Sequence, residues 1–377
     1  MKIVIAAEIF PPDIGGPATY SNKLAKELTN RDWKIKLICY SSQIENDNHS
    51  FPISRILRGQ STLKRYWQYF WHLLKLANKD CDSIFTQGPV SSGLPAIVVG
   101  FLLSKKVVVK VVGDYAWEQA RNLGQTEIGI DEFQKQNPTG KIGWLKKIEK
   151  FTCQKASKVI VPSEYLKGIV SGWGVDENKI EVVYNSFDSR ELDWVTDDHK
   201  DKNRIISIGR LVPWKGFEML ISLMSELIRD NPDFNLLILG EGPDQDKLEG
   251  LIFKLKLNDR IAIKSLPHQE VLTNIQLSGM FILNTGYEGL SHVVLEAMGV
   301  GTPVITTNIG GNPELVTNQE NGLLVEYNNK DQLKEAILRI YNDPELRQKL
   351  VNNSKEVLKK FTKEQMIEDT IKVLQSK

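Results

Sequence analysis

The feature that most constrains the fold of this chain is the alternation of short apolar runs with longer amphipathic segments. The runs are rich in Val and Ile and have the length of buried β-strands. They lie at Lys2–Ala6, Lys34–Tyr40, Ser83–Thr86, Lys106–Val112 and Lys158–Val161. Helical patterns such as Pro17–Asn30 and Leu63–Asn78 separate them. Alternation of this kind predicts a parallel sheet with helices on both faces.

The alternation stops once and then resumes. Residues 188–203 are polar, highly charged and without periodicity, which is typical of a linker. Further strands are predicted at Arg204–Ile208, Asn235–Leu239, Ile261–Ile263, Met280–Leu283 and Pro303–Thr306, and a helical tail from about Asp331. The chain is therefore predicted to be α/β, with doubly wound domains at 1–187 and 204–360.

Composition excludes several classes of protein. The formal net charge of +1 gives no sign of a nucleic-acid partner. Three cysteines without metal-ligand spacing indicate a reducing compartment. The most apolar stretch, Leu94–Leu103, is ended by Lys105 and Lys106 and is too short to span a bilayer. We expect a cytoplasmic protein.

In doubly wound sheets, ligands bind at the carboxyl ends of the strands, so the loops leaving those ends are the candidates for a site. The first loop contains Gly15 and Gly16 just before a helix. Two glycines let a ligand approach the backbone, and the helix start offers N–H groups to an anion. A tight strand-to-helix turn explains the same residues equally well. The nicotinamide fingerprint G-x-G-x-x-G is absent, which disfavours a dehydrogenase.

A second loop runs from Gly209 to Gly216 and contains Arg210 and Lys215. A guanidinium and an ammonium at this spacing can converge on one polyanion. A solvated basic turn is the alternative.

A third loop contains Glu288 and leads to Ser291, a candidate helix N-cap. Glu296 follows inside the predicted helix, among Val294, Leu295, Ala297 and Met298. A carboxylate in so apolar a stretch needs a partner, and a hydroxyl-rich ligand would serve.

These motifs together resemble glycosyltransferase family 4, of the group 1 glycosyltransferases. The resemblance rests on G-R-x4-K-G at 209–216 followed by the two glutamates. It continues through the segments Gly240–Pro243, Glu296–Met298, Gly301–Val304, Gly310–Glu314 and Asn321–Val325, and less tightly through Gly15-Gly16, Pro162–Glu164, Asn185 and Asp188.

The resemblance implies the GT-B fold, in which two Rossmann-like domains face each other across a cleft. The domain 1–187 would bind the acceptor, and the domain 204–360 the nucleotide sugar. The last helix, about 361–377, would cross back to the first domain. The implied activity is retaining transfer of a hexose from a UDP- or GDP-linked donor to a glycan or lipid-linked acceptor, with no metal ion and no other cofactor.

Residue roles follow from the same resemblance. Arg210 and Lys215 would hold the diphosphate, Glu288 the transferred sugar and Glu296 the ribose. Further donor contacts would come from the loops, at Gly15, Gly16, Gly209, Gly240, Gly242, Leu266, Gly289, Leu290 and Ser291.

The chain departs from the family pattern at several positions. Asp114 stands at or beside a position where many members have histidine. We count it with Arg210, Lys215 and Glu288 as a candidate catalytic residue that would bind a sugar or acceptor hydroxyl; the alternative is a turn residue. Asn284-Thr285-Gly286 replaces the more usual Pro-Ser. Asp80-Cys81-Asp82 matches a metal-binding D-x-D, but it precedes a strand and is predicted to be a solvated turn.

Two segments, Lys64–His72 and Lys141–Lys150, mix cations with aromatic residues. Such segments can rest on anionic headgroups, and peripheral attachment to the inner face of the membrane is one hypothesis. The alternative is a pair of ordinary helices whose aromatic rings face the core. Two other functions share the implied fold, namely a nucleotide-sugar epimerase and a non-catalytic binding subunit.

Overall fold

The computed structural model describes residues 1–13, 15–42, 49–78, 80–188 and 200–376. Two compact units divide the chain: Met1–Tyr184 with Met366–Lys377, and Asn185–Gln365. The predicted linker at 188–203 lies mostly outside the described residues.

The described part of the first unit contains a seven-stranded sheet in the order β3-β2-β1-β4-β5-β6-β7. All its strand pairs are parallel. The strands are β1 (Lys2–Ala6), β2 (Lys34–Ser41), β3 (Ile53–Leu57), β4 (Ser83–Gln87), β5 (Lys106–Lys110), β6 (Lys158–Val161) and β7 (Ile180–Val182). The helices are α1 (Gly16–Asn30), α2 (Thr62–Leu76), α3 (Gly93–Leu103), α4 (Tyr115–Asn122), α5 (Ile130–Gln134), α6 (Gly140–Lys155) and α7 (Glu164–Gly172).

The first strand shows why this sheet is covered on both faces. Successive side chains of a strand point to opposite faces. Ile3 and Ile5 enter one apolar cluster, whereas Val4 and Ala6 enter another. A strand buried on both sides needs a continuous apolar run, which is what the sequence provides.

The described part of the second unit contains a six-stranded parallel sheet in the order β10-β9-β8-β11-β12-β13. The strands are β8 (Asp201–Ile208), β9 (Asn235–Leu239), β10 (Ile261–Lys264), β11 (Ser278–Leu283), β12 (Val304–Thr307) and β13 (Leu323–Val325). The helices are α8 (Phe217–Asp230), α9 (Gln245–Lys254), α10 (His268–Gln276), α11 (His292–Gly299), α12 (Asn312–Leu315), α13 (Lys330–Asn342) and α14 (Pro344–Leu358).

The last helix, α15 (Lys363–Gln375), lies almost wholly in the first unit. Met366, Ile367 and Ile371 join the apolar cluster that contains Ile3 and Ile5. The hydroxyl groups of Tyr20 and Thr370 are 2.7 Å apart. The C-terminal segment therefore completes a core begun by the first strand.

The predicted fold class, two doubly wound parallel-sheet domains, is confirmed, but some boundaries differ. β8 begins at Asp201, inside the predicted linker. The second unit begins at Asn185, because Phe187 N donates to Phe361 O (3.0 Å) and the Phe187 ring packs against Gly299. The second unit also extends to Gln365, five residues beyond the predicted end at 360.

Each sheet has one place where the strand order reverses. In the first unit the reversal lies between β1 and β4, and in the second between β8 and β11. The loops that leave these strand pairs diverge to opposite faces and open a crevice at the carboxyl edge, the usual ligand site of this class.

Candidate functional site

The loop after β8 is fixed by a glycine with a left-handed backbone. A 3-10 turn at Pro213–Lys215 leads through Gly216, whose φ is 58°, into α8. A Cβ at Gly216 would lie 2.2 Å from Nδ2 of Asn284 and 2.5 Å from its carbonyl oxygen. Only glycine fits both the dihedral angle and the space.

This turn brings Lys215 to the loop after β11. Its ammonium forms an ion pair with Oε1 of Glu288, and the two side chains are 13% and 16% exposed. Gly209 packs against the aliphatic part of Lys215, since a Cβ there would lie 3.5 Å from the lysine Cδ. Two of the predicted site residues thus meet directly at the point where the strand order reverses.

Arg210 lies on the same loop and is exposed. The next residue ties the loop to its neighbour, because Leu211 N donates to Glu241 O (2.9 Å). Gly240 and Gly242 make this close approach feasible. Their Cβ atoms would lie 1.9 Å from Gly209 O and 2.3 Å from Leu211 O. The structure therefore gives both glycines a packing role, whether or not a ligand also contacts them.

The loop before α11 is held by a cap and by a glycine pair. Ser291 is the N-cap of α11, as predicted, and its Oγ accepts from Val294 N (3.3 Å). Gly311 N donates to Glu288 O (3.0 Å), and a Cβ at Gly310 would lie 2.1 Å from the same oxygen.

The segment between Glu288 and the cap is also anchored. Leu290 O accepts from Nδ2 of Asn185 (3.0 Å), while Gly289 O lies against Gly311. The backbone around Glu288 is consequently constrained on both sides.

Glu296 lies in the second turn of α11 and is 17% exposed. Its neighbours Val294, Leu295, Ala297 and Met298 are buried, as their apolar character suggests, whereas the Glu296 side chain keeps some exposure to solvent. Its Oε1 lies 3.8 Å from Nε2 of His268, at the start of α10. Leu266, two residues earlier and half-buried, lies in the loop after β10.

Sequence analysis missed the part that Asn284 and Thr285 play. Asn284 is 2% exposed, and its Nδ2 donates to Gly216 O (3.1 Å) and to Oδ1 of Asn328 (2.8 Å). Thr285 Oγ1 donates to Trp214 O (3.3 Å). These bonds join the two loops that contain Lys215 and Glu288. Two polar residues directly after a buried strand are the signal that could have revealed this role.

Asp114 needs a correction. It is 0% exposed and caps α4, with Oδ1 accepting from Trp117 N (2.7 Å) and Oδ2 from Nε2 of Gln134 (2.8 Å). Burial raises the pKa of its carboxyl group. Since both oxygens are used internally, the structure favours the turn-residue interpretation over contact with a sugar hydroxyl.

A second buried acid completes the start of α4. Glu149 accepts from Tyr115 N (2.6 Å) and Ala116 N (3.1 Å). Burial raises the pKa of Glu149 well above its usual value, and the nearby Asp114 adds to the effect. The first N–H groups of this helix are therefore satisfied within the protein.

Gly15 and Gly16 lie at the start of α1 in the first unit. Gly15 has a φ of 155°, and a Cβ there would lie 2.8 Å from Cδ1 of Ile9. Its carbonyl oxygen accepts from Thr19 N (3.0 Å).

The D-x-D sequence lies at the amino end of β4. Asp82 Oδ2 accepts from Lys2 N (2.7 Å), and Asp80 pairs with Nζ of Lys2 at 3.4 Å. Among the residues that the structure describes, no group of three or more His, Cys, Asp or Glu side chains is arranged to hold a metal ion.

Comparison with known proteins decides the family. The model of the glycosyl transferases group 1 matches residues 188–357, and that of Glycosyltransferase Family 4 matches residues 14–191. The chain belongs to the glycosyltransferases. An uncharacterized glycosyltransferase of Methanocaldococcus jannaschii is 28% identical, over 99% of this chain and 97% of the relative.

Two further similarities add detail. An N-acetylgalactosamine-N,N'-diacetylbacillosaminyl-diphospho-undecaprenol 4-alpha-N-acetylgalactosaminyltransferase of Campylobacter jejuni is 28% identical, over 55% of this chain and 57% of the relative. The crystal structure of Anabaena HepE in complex with UDP and glucose superposes with a TM-score of 0.81 at 18% identity, covering 100% of both chains. This glycosyltransferase therefore has the GT-B fold predicted from its sequence.

Proposed function

We propose that this glycosyltransferase transfers a hexose, with retention of anomeric configuration, from a UDP- or GDP-linked donor to a glycan or lipid-linked acceptor. The observation that carries the proposal is the Lys215–Glu288 ion pair at the carboxyl ends of β8 and β11, where the strand order reverses. Arg210, on the same loop, supplies a second cation. UDP and glucose are bound in the HepE structure of the same fold.

The proposed chemistry is stabilisation of the leaving group. Breaking the anomeric bond leaves negative charge on the diphosphate and a cation-like sugar. Lys215 and Arg210 would neutralise the diphosphate, while Glu288 would face the sugar. Pairing with Glu288 keeps Lys215 in place before the donor arrives, so little reorganisation is needed.

Metal independence is part of the proposal. The two cations and the N–H groups at the start of α11 would supply the charge stabilisation for which other folds use a metal ion. Turnover should therefore persist after exhaustive treatment with EDTA. Loss of turnover that Mg²⁺ or Mn²⁺ restores would contradict it.

The decisive experiment is a thermal-shift screen of UDP- and GDP-sugars, followed by turnover. A ligand at 100-fold its dissociation constant stabilises by about 2.7 kcal/mol. The donor that raises Tm should then release its nucleoside diphosphate in the presence of acceptor, and the anomeric coupling constant of the product should show retention. Conversion of one donor sugar into another would indicate an epimerase. Tight nucleotide binding without turnover would indicate a binding subunit.

We further propose that the acceptor is presented at a membrane surface. The name of the Campylobacter relative gives a saccharide linked to diphospho-undecaprenol as its acceptor. In this chain Trp67, Trp71 and Trp144 are 64%, 41% and 66% exposed, so these rings do not face the core. α3 lies between α2 and α6 and adds Phe101, which is 85% exposed. None of the helices described is long and apolar enough to cross a bilayer.

Charge supports an anionic membrane as the partner. Lysines flank the exposed rings at the surface, namely Lys64, Lys105, Lys141 and Lys147. Each cation near an anionic surface contributes about 1 kcal/mol. Co-sedimentation with phosphatidylglycerol vesicles should fall sharply for Trp67→Ser with Trp144→Ser. Binding that is independent of anionic lipid would contradict the proposal.

A further inference from the structure

The crevice of the first unit contains an acid that the proposed transfer has not yet used. Glu8 lies just beyond β1, and Ser91 lies in the loop after β4, the two strands between which the order reverses. Ser91 N donates to Oε1 of Glu8 (3.3 Å). Glu8 as a whole residue is half-buried.

A glycine makes room for this carboxylate. Gly88 has a φ of 96°, and a Cβ there would lie 2.4 Å from Oε1 of Glu8. The carboxylate therefore rests directly on the backbone of the β4 loop. No side chain other than hydrogen could stand at position 88 without displacing it.

Tyrosines surround the acid. Tyr40 OH donates to Ser91 O (3.0 Å), and the Tyr40 ring stacks on Tyr69 with centroids 4.5 Å apart. Tyr66 and Tyr115 are half-buried, and both lie near Ser91 and Glu8. Aromatic faces with phenol hydroxyls at their edges are amphipathic walls that suit a sugar ring.

The charges around Glu8 are of both signs. Arg58 donates to Glu8 O (3.4 Å) and pairs with Asp13 at 3.0 Å. The Arg65 guanidinium lies 5.5 Å from the centre of the Tyr40 ring. Glu118 of α4 adds a second negative charge near Glu8.

Burial raises the pKa of Glu8 to about 7. The hydrogen bond from Ser91 lowers this pKa in part, and the negative charge of Glu118 raises it further. An ionised carboxylate accepts hydrogen bonds only. It would repel a phosphate and attract a hydroxyl group.

We propose that Glu8 accepts a hydrogen bond from a hydroxyl group of the saccharide acceptor, whose ring lies between Tyr66 and Tyr115. The inference rests on the proposed glycosyl transfer and assigns the acceptor subsite within the first unit. Glu8 is a positioning residue here, and no proton transfer is required of it. Acceptor binding should strengthen as Glu8 ionises, while donor binding should not follow that titration.

The test uses the full chain with octyl α- and β-glycosides of glucose, galactose, mannose and N-acetylglucosamine as acceptor probes. Wild-type KM for the best probe should fall as pH rises from about 6 to about 8, through the pKa of Glu8. Glu8→Gln should raise that KM about tenfold or more at about pH 8 and abolish its pH dependence, with the donor KM unchanged. Glu132→Gln, at an exposed acid of α5, is the matched control and should leave both KM values unchanged.

Two outcomes would overturn the inference: no probe binding in saturation-transfer NMR, or an acceptor KM in Glu8→Gln with the wild-type value and pH profile. If instead no UDP- or GDP-sugar shifts Tm, the proposed function itself fails. The melting temperature distinguishes a purely structural role of Glu8 from the proposed role in acceptor binding. Because the ionised acid is partly desolvated, Glu8→Gln should melt at or above the wild-type Tm at about pH 8.

Discussion

Lys215 and Glu288 are 73 residues apart in the chain, yet their side chains form an ion pair at the carboxyl edge of the second sheet. Both side chains are mostly buried, and neither residue lies in a regular α-helix or strand. In a mostly buried ion pair, the cost of removing both charges from water offsets much of their attraction, so the pair adds little net stability. Its position therefore matters more for a ligand than for stability.

Removing either loop cation should lower turnover much more than stability. Arg210→Ala and Lys215→Ala each delete a charge-assisted interaction of about 1.5–3 kcal/mol with the departing diphosphate. We expect kcat to fall about tenfold to a hundredfold, measured by release of nucleoside diphosphate. Lys247→Ala is the matched control, because Lys247 pairs with Glu218 on an exposed surface. Equal losses in all three variants would contradict the assignment.

Asn284 should affect donor binding indirectly, by holding the loops that contain Lys215 and Glu288 in place. Asn284→Ala leaves Gly216 O and the side chain of Asn328 without a buried partner, which costs about 1–3 kcal/mol. The loops that contain Lys215 and Glu288 should then loosen, so Tm should fall and the donor KM should rise. Asn352→Ala, at an exposed position of α14, should change neither. A lower Tm with an unchanged donor KM would limit Asn284 to a structural role.

Asp114 should prove structural. Asp114→Asn keeps an oxygen for Trp117 N but sets an amide donor against Nε2 of Gln134. We expect a loss of about 1–2 kcal/mol in the free energy of unfolding, with kcat/KM of the folded fraction unchanged. Denaturant unfolding and initial rates measure the two effects separately. A large drop in kcat/KM at wild-type stability would restore the catalytic hypothesis.

Lys110 should make stability depend on pH. It is 1% exposed, its Nζ lies 3.9 Å from the centre of the Tyr20 ring, and no hydrogen-bond acceptor for it occurs among the described residues. Burial lowers its pKa from 10.5 to about 7.

The sign follows from proton binding. Between about pH 7 and pH 10.5 the unfolded chain holds this proton and the folded protein does not, so Lys110 makes stability rise with pH across that window. Lys110→Met should remove this slope and raise the free energy of unfolding at neutral pH by at least about 1 kcal/mol. Lys106→Met, at the exposed start of the same strand, is the control. An unchanged slope in Lys110→Met would refute this account.

Sequence patterns predicted best where burial is complete. β1 was predicted at its observed bounds because apolar residues on both faces leave no other assignment. β3 (Ile53–Leu57) was missed, since Ser54 and Arg55 interrupt its apolar character at the edge of the sheet. The helix around Trp67 was predicted, but periodicity alone did not decide that this ring faces solvent.

The candidate site shows the same division. The loops after β8 and β11 could be found because topology dictates where strands of a parallel sheet end. The role of Asp114 could not be predicted from the sequence. It depends on Gln134 and Glu149, which contact the start of α4 only in the folded chain. Side chains that act through distant partners leave no local pattern.

The return of α15 to the first unit affects how the protein is made. Five apolar residues of that unit's core lie beyond position 365, so the cluster around Ile3 and Ile5 is incomplete until translation has reached Leu374. While the second unit is being synthesised, the nascent first unit should therefore expose an apolar groove to which chaperones can bind. Cleavage within 359–365 after folding should leave that groove filled, whereas a stop codon at the same place should not.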